Sequence, residues 1–224
     1  MSHRVSAVVL AAGKGTRVGA GKNKIFTEIA SRPLLLYALS SFTRSALVDE
    51  IVLVIAPGEE GVASTLVEGM EKKIRITRGG KERQDSSLAG VAAASGEIVL
   101  IHDGARPFPS TDLIERVIDG VAAHGACVPV LPMADTLRCG RIDDYLHSAS
   151  IDRAGLLRMQ TPQGFKRDLI EQALAKATAE FTDDASAALA CEIPVWVIAG
   201  EEMNIKVTTK EDLLLAEMIA AARA

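Results

Sequence analysis

The sequence predicts an α/β fold, doubly wound around a mostly parallel sheet, and three observations carry that expectation. Continuous apolar runs at residues 5–12, 51–56 and 98–102 end respectively at glycine, proline and aspartate, as short strands buried on both faces do. Stretches with helical spacing separate them, and alternation of strand with helix argues for parallel βαβ units. The chain is 48% hydrophobic but only 4% aromatic, so the core between sheet and helices must be aliphatic.

In chain order, 5–12 forms the first strand and gives way to Gly13. From Pro33, Leu35, Leu39 and Phe42 recur at helical spacing in a helix ending before Val48. The second strand, 51–56, closes at Pro57-Gly58. A helix over 59–69 leads to a strand at 73–77 and the Gly79-Gly80 turn. Residues 82–91 read as a helix with Leu88, Val91 and Ala92 inward. The strand at 98–102 runs into Asp103-Gly104-Ala105-Arg106-Pro107, a helix spans 112–124, and 126–131 is a further strand.

The alternation then breaks. Residues 134–155 carry charge, turns and only short apolar pairs, which predicts an extended arm rather than a crossover helix. Order returns with a helix over 167–178, a second helix through Leu189 with Thr182 as N-cap, and a strand at 195–199. Thr209-Lys210-Glu211-Asp212 matches a capping box opening a last helix with Leu214, Met218 and Ala221 inward.

At 224 residues the chain reads as one domain over 1–224, without room for a second catalytic domain. A net charge of −4 argues against nucleic-acid binding by bulk electrostatics. No apolar run reaches the length of a membrane span and no signal pattern precedes the first strand, so no membrane partner is expected. The three cysteines form no CxxC pair, which suits free thiols in the cytoplasm and neither a disulfide framework nor a zinc site.

Chemistry concentrates where the first strand ends. Gly13 and Gly15 let backbone N–H groups approach a polyphosphate, and Lys14, Arg17, Lys22 and Lys24 gather beside them. So many cations next to flexible backbone favour a bound anion. The loop is neither of the common nucleotide motifs: Val18 stands where GxGxxG needs its third glycine, and there is no GxxxxGK[ST]. Asp103 and Arg106 fall on the same rim, because ligands in open α/β sheets sit beyond the carboxyl ends of the strands.

The segments AAGKGTRVGAGKNKIF, GGKERQDSSLAG, IHDGARPF, ADTL, SIDRAGL, QTPQGF, FTDDASAAL and NIKVTTKEDL occur in that order between residues 11 and 213. Together they resemble the 2-C-methyl-D-erythritol 4-phosphate cytidylyltransferase family, which joins CTP to methylerythritol phosphate in non-mevalonate isoprenoid synthesis. The resemblance implies a Rossmann-like nucleotidyltransferase fold with an extended dimerisation arm.

It also implies roles. Arg17, Lys24 and Lys206 are the expected catalytic cations. Ala11, Ala12, Gly13, Gly15, Gly79, Gly80, Ser86 and Gly104 would bind the nucleotide, with Ser86 as side-chain partner of the base. Asp103, Arg106, Thr136, Arg153 and Thr161 would bind the polyol phosphate, Thr136 and Arg153 from an arm exchanged within a homodimer. A divalent cation, Mg2+ by preference, would bridge phosphate oxygens; Asp103 could contact it or equally bind only the polyol.

The sequence departs from the family pattern in two places. Lys81 stands where some members carry an aspartate near the base, and Asn23-Lys24-Ile25 replaces the Pro-Lys-Gln of some members. Asp183 and Asp184 read as helix N-terminal charges that frame the site, and His102 as structural, since an ionised phosphate nucleophile needs no base. Two other functions share much of this pattern: cytidylyl transfer to a different polyol phosphate such as ribitol 5-phosphate, and nucleotide binding without turnover.

Overall fold

The computed structural model describes residues 3–13, 23–176 and 181–223. Strand β1 is Val5–Ala11, followed by a 3-10 turn at Lys24–Phe26 and a small hairpin of β2 (Glu28–Ile29) and β3 (Arg32–Pro33). Next come α1 (Leu34–Arg44), β4 (Glu50–Ile55), α2 (Glu60–Val67), β5 (Ile74–Arg78), α3 (Arg83–Ala93), β6 (Ile98–Asp103), α4 (Thr111–His124) and β7 (Ala126–Pro132). The chain closes with β8 (Leu157–Met159), β9 (Gln163–Lys166), α5 (Arg167–Lys176), α6 (Asp184–Ala190), β10 (Trp196–Ala199) and α7 (Lys210–Ala222).

The sheet runs β10-β7-β9-β6-β1-β4-β5, with β8 paired to β7. Pairings among β6, β1, β4 and β5 are parallel, as is β10 with β7. β8 and β9 are antiparallel to their neighbours. The mostly parallel sheet is thus as the sequence predicts, with two additions: β9 inserts between β6 and β7, and β8 pairs with β7.

Successive side chains of a strand face opposite sides, and that period builds two cores. Val5, Ala7, Val9 and Ala11 of β1, Ile51, Leu53 and Ile55 of β4, and Ile98 and Leu100 of β6 pack beneath α1, α2 and α4. Val8, Val52, Val54, Val99 and Ile101 pack on the other face against α3, α5 and α6. Both faces are covered, which is why these strands read as unbroken apolar runs. Each fully buried Val, Leu or Ile contributes about 1.5–3 kcal/mol.

Local details correct four expectations. Pro33 is the N-cap of α1 rather than its first residue. α6 is capped by Asp183, whose carboxylate accepts from the Ser186 amide at 3.0 Å, and not by Thr182; the carboxylate is the stronger acceptor for an N-terminal amide. On α3, Ser86, Ser87, Gly90 and Val91 face in, whereas Ala92 is exposed, because Gly90 lets the helix lie closely on Val8 and Val54.

α7 opens with the expected capping box of Thr209 and Asp212. Yet Ala216, Ile219 and Ala220 are buried, while Leu214 and Met218 are 65% and 71% exposed and Ala221 is exposed. The helix is where the spacing puts it, but its buried face is nearly opposite the one expected.

Residues 134–155 form the excursion the sequence suggests. The chain leaves β7, Leu137 and Ile151 make an antiparallel bridge, and the return enters β8. Ile142 and Tyr145 are 94% and 83% exposed on it.

Candidate active site

A cleft of about 830 Å³ opens beyond the carboxyl ends of β1, β4 and β6, the position expected for a ligand in an open α/β sheet. One wall is small and neutral: Ala11, Ala12 and Gly13 face Gly79, Gly80 and Ser86. A Cβ on Gly79 would lie 2.5 Å from the Ala12 Cβ and 2.6 Å from Ser86 Oγ, so glycine there sets the width of the wall. Ser86 Oγ accepts from the Gly80 amide and donates to the Glu82 carbonyl, both at 3.2 Å. Lys81, next to Gly80, also lines the cleft and is the charged exception on this otherwise neutral wall.

The opposite wall is charged. Lys206 Nζ lies 2.7 Å from Asp103 Oδ2, and Arg83 Nη2 lies 3.4 Å from Asp103 Oδ1. Burial alone would raise the pKa of Asp103, but Arg83, Lys206 and Arg106 outweigh it and hold the carboxyl well below the usual range. Asp103 is therefore an anion at neutral pH, surrounded by cations.

The two lysines are mounted from opposite ends of the chain. Asn23 is buried, caps the 3-10 turn, and donates from Nδ2 to the Ala11 carbonyl at 2.9 Å and to Glu59 at 3.2 Å. That side chain fixes the point at which the first loop returns, and Lys24 follows it directly. Lys24 Nζ donates to the Val207 carbonyl at 2.8 Å. Val207 is buried and its amide donates to the Ala105 carbonyl at 2.9 Å. On the other side of Lys206, buried Asn204 donates to the Thr161 carbonyl at 2.8 Å. Lys206 is thus flanked by two anchored residues.

Beneath the charged wall runs a buried hydrogen-bond chain. The Asp103 amide donates to Thr161 Oγ1 at 3.1 Å, and that hydroxyl lies 3.0 Å from His102 Nδ1. His102 Nε2 faces the Arg106 carbonyl at 2.9 Å; a carbonyl only accepts, so Nε2 carries the proton and Nδ1 accepts from Thr161. Burial pushes the His102 pKa down to about 4, so the ring is neutral. Arg106 donates to the carbonyls of Asn204 at 2.8 Å and Met159 at 3.2 Å.

The structure therefore brings together Ala11, Ala12, Gly13, Gly79, Gly80, Ser86, Asp103, Lys24 and Lys206 in one cleft. Gly104 is buried behind the lining, with its amide on the Leu10 carbonyl at 2.8 Å. Thr161 and Arg106 stand behind Asp103, engaged with protein groups. Thr136 and Arg153 are exposed on the arm and do not line the cleft of their own chain. Gly15 and Arg17 lie outside the described residues. Among the described residues no group of three or more His, Cys, Asp or Glu could hold a metal ion, and no helix is long and apolar enough to cross a membrane.

Sequence reasoning missed Arg83, Asn23 and Gln163. Arg83 sits in the quoted GGKERQDSS segment, but a charged residue in a helix's first turn usually points to solvent; here it reaches two acidic side chains. Gln163 gave no signal, since its role depends on a strand the apolar pattern does not reveal.

Comparison with known proteins agrees with this fold. The family model described as 2-C-methyl-D-erythritol 4-phosphate cytidylyltransferase matches residues 5–222. A protein of that name from Geobacillus thermodenitrificans is 42% identical over 223 residues, covering 97% of each chain. The crystal structure of 4-diphosphocytidyl-2C-methyl-D-erythritol synthase from Anaerococcus prevotii superposes with a TM-score of 0.85 at 30% identity, covering 100% of this chain and 97% of that one. The 2-C-methyl-D-erythritol 4-phosphate cytidylyltransferase of Thermus thermophilus gives 0.80 at 34% identity, covering 97% and 98%. With its fold and nearly its whole length matched, the chain belongs to the 2-C-methyl-D-erythritol 4-phosphate cytidylyltransferase family.

Proposed function

We propose that this protein transfers the cytidylyl group of CTP to 2-C-methyl-D-erythritol 4-phosphate. The products are 4-diphosphocytidyl-2-C-methyl-D-erythritol and pyrophosphate. The observation that carries this reading is the junction, in one cleft, of the narrow Ala12–Gly79–Ser86 wall with the Lys24–Asp103–Lys206 cluster, in a member of this family.

The roles follow from what each group offers. The glycine wall admits a flat base edgewise, with Ser86 Oγ and backbone groups as its polar partners. Gly13, where a Cβ would meet nothing within 4 Å among the described residues, gives the phosphates access to backbone amides. Lys24 and Lys206 supply positive charge where an oxygen of the polyol phosphate attacks the α-phosphorus and pyrophosphate departs. Negative charge spreads over the phosphoryl oxygens in that step, and fixed cations stabilise it more than they stabilise the ground state. Arg17 belongs to the same charge in this reading. The nucleophile is already ionised, so neutral His102 has no proton to remove.

Asp103 faces the polyol and can accept its hydroxyls. Arg106 and Thr161 hold Asp103 and its loop in place from behind. A divalent ion, Mg2+, would be carried in on the nucleotide phosphates, where Asp103 could contact it, and would neutralise phosphate charge. Thr136 and Arg153 reach substrate only if the arm crosses to a second copy, and the exposed Ile142 and Tyr145 on that arm support a homodimer with arm exchange. One sheet running through the chain supports a single domain over 1–224, and the free cysteines support a cytoplasmic location.

Pyrophosphate release from CTP with Mg2+ and either methylerythritol phosphate or ribitol 5-phosphate tests the assignment. The expected result is faster release with methylerythritol phosphate. Faster release with ribitol 5-phosphate would reassign the substrate, and CTP binding without release would make the protein a nucleotide-binding module.

A further inference from the structure

We infer that Arg83 is a positioning residue for the transfer reaction: anchored by Asp184, it holds one oxygen of Asp103 so that the other faces Lys206. The inference rests on the reading of the cleft given above and adds a residue to it.

Arg83 opens α3 beside a capping box in which the Glu82 amide donates to Asp85 Oδ2 at 3.1 Å. Asp85 is thereby occupied at its own helix end, and Arg83 turns to other elements. Its Nη2 reaches Asp184 Oδ2 at 2.8 Å and Asp103 Oδ1 at 3.4 Å. Three separate elements, α3, α6 and the end of β6, thus meet at one guanidinium.

The anchor is built for rigidity. Asp184 is 1% exposed, and its Oδ1 has no hydrogen-bond partner among the described residues. A buried carboxylate paired through one oxygen is a poor device for stability alone, because desolvation offsets the attraction. Its neighbourhood is fixed by Gln163 of β9, itself buried. Gln163 Oε1 accepts from the amides of Asp184 at 3.0 Å and Ala185 at 2.9 Å, and its Nε2 donates to Asp183 at 2.9 Å. β9 lies next to β6 in the sheet, and β6 ends in Asp103. The frame that places Asp184 and the strand that places Asp103 are therefore the same part of the sheet, with Arg83 spanning the gap.

The consequence falls on Asp103. With Oδ1 engaged by Arg83 and Oδ2 2.7 Å from Lys206, its carboxylate plane is set from both sides. Arg106 Nε stands at 4.0 Å from Oδ2, too far to replace the Arg83 contact. Without Arg83 the carboxylate is free to rotate toward its cations, and Lys206 loses its defined starting place near the phosphates. Misplacement of a charge by about 1 Å is enough to lower a rate substantially.

A double-mutant cycle on the full-length protein decides this, with pyrophosphate release from CTP and methylerythritol phosphate as the assay. Arg83→Gln is expected to lower kcat/KM by at least about tenfold, mainly through kcat. In an Asp103→Asn background the same substitution should cost less than about threefold, since the residue it acts through is already altered. Arg83→Lys should recover part of the loss. An Arg83→Gln loss that is the same with and without Asp103 would overturn the inference and make Arg83 a direct substrate contact or a structural residue. If Arg83→Gln does not fold, Asp184→Asn, which keeps the guanidinium and removes its anchor, enters the same cycle with the same criterion. Absence of turnover in the wild type would remove the underlying reading of the cleft together with this inference, whereas wild-type turnover with additive losses removes the inference alone.

Discussion

Lys24 Nζ donates a 2.8 Å hydrogen bond to the carbonyl of Val207, the residue after Lys206 and 183 positions away in the chain. The contact ties the end of the first loop to the segment before α7, and it places the two lysines on one wall of the cleft. Charge convergence of this kind is what an in-line displacement at phosphorus requires.

Lys24→Ala and Lys206→Ala are each expected to lower turnover by about 100-fold or more, on the order of 3 kcal/mol of transition-state stabilisation. Circular dichroism should show the fold retained. Wild-type turnover in either variant would refute the role assigned to that lysine.

The glycine wall makes a separate prediction. A Cβ at Gly79 would sit 2.5 Å from the Ala12 Cβ, so Gly79→Ala must push the two sides of the proposed base site apart or displace Ser86. Calorimetric titration should show CTP affinity falling by about tenfold, the cost of one badly placed contact of about 1.4 kcal/mol. Unchanged affinity would mean that the base lies elsewhere.

Acid stability follows from His102, buried and held near a pKa of about 4 against 6.5 when unfolded. Between those values the unfolded chain binds a proton that the folded chain does not, so stability rises with pH through the window and is lost as pH falls. Unfolding free energy from urea titration should drop by about 2 kcal/mol from about pH 7.5 to about pH 5. His102→Gln should show a smaller drop. Asp103, with its lowered pKa, adds its own loss only below the normal carboxylate range. A flat profile above pH 5 would show that His102 is not neutral in the folded protein.

Much of this was legible in the sequence, and what was not has physical reasons. Strands β1, β4 and β6 are covered on both faces, so they announce themselves as apolar runs. β9 does not, because its buried positions include Gln163 and Gly164 beside a single aromatic, Phe165. The phase of α7 is ambiguous where Leu213, Leu214 and Leu215 stand in succession, and packing against Ile29, Leu34 and Phe108 decides it. At the site, Gly13, Lys24 and Asp103 follow from loop chemistry and strand ends. Lys206 came from resemblance, since nothing local in Asn204-Ile205-Lys206-Val207 marks it as facing Asp103. Arg83 needed the fold, because its partner Asp184 lies 101 positions away.

Sharing of sites across a dimer is testable by complementation. An arm crossing to the partner puts Arg153 of one subunit in the site of the other. Arg153→Ala and Lys206→Ala proteins, each nearly inactive alone, should regain about a quarter of wild-type activity when mixed and re-equilibrated, because a mixed dimer holds one complete site and one doubly altered one. No recovery, with mixed dimers demonstrated, would place Arg153 in the site of its own chain or in none.

The fate of labelled phosphorus tests cytidylyl transfer most directly. With methylerythritol phosphate and CTP labelled at the α-phosphorus, the label should appear in the polyol product; with CTP labelled at the γ-phosphorus, it should appear in pyrophosphate. Release of γ-label as inorganic phosphate, or its transfer to the polyol, would mean that attack occurs at the wrong end of the triphosphate and would contradict the arrangement of Lys24, Lys206 and Asp103 described above.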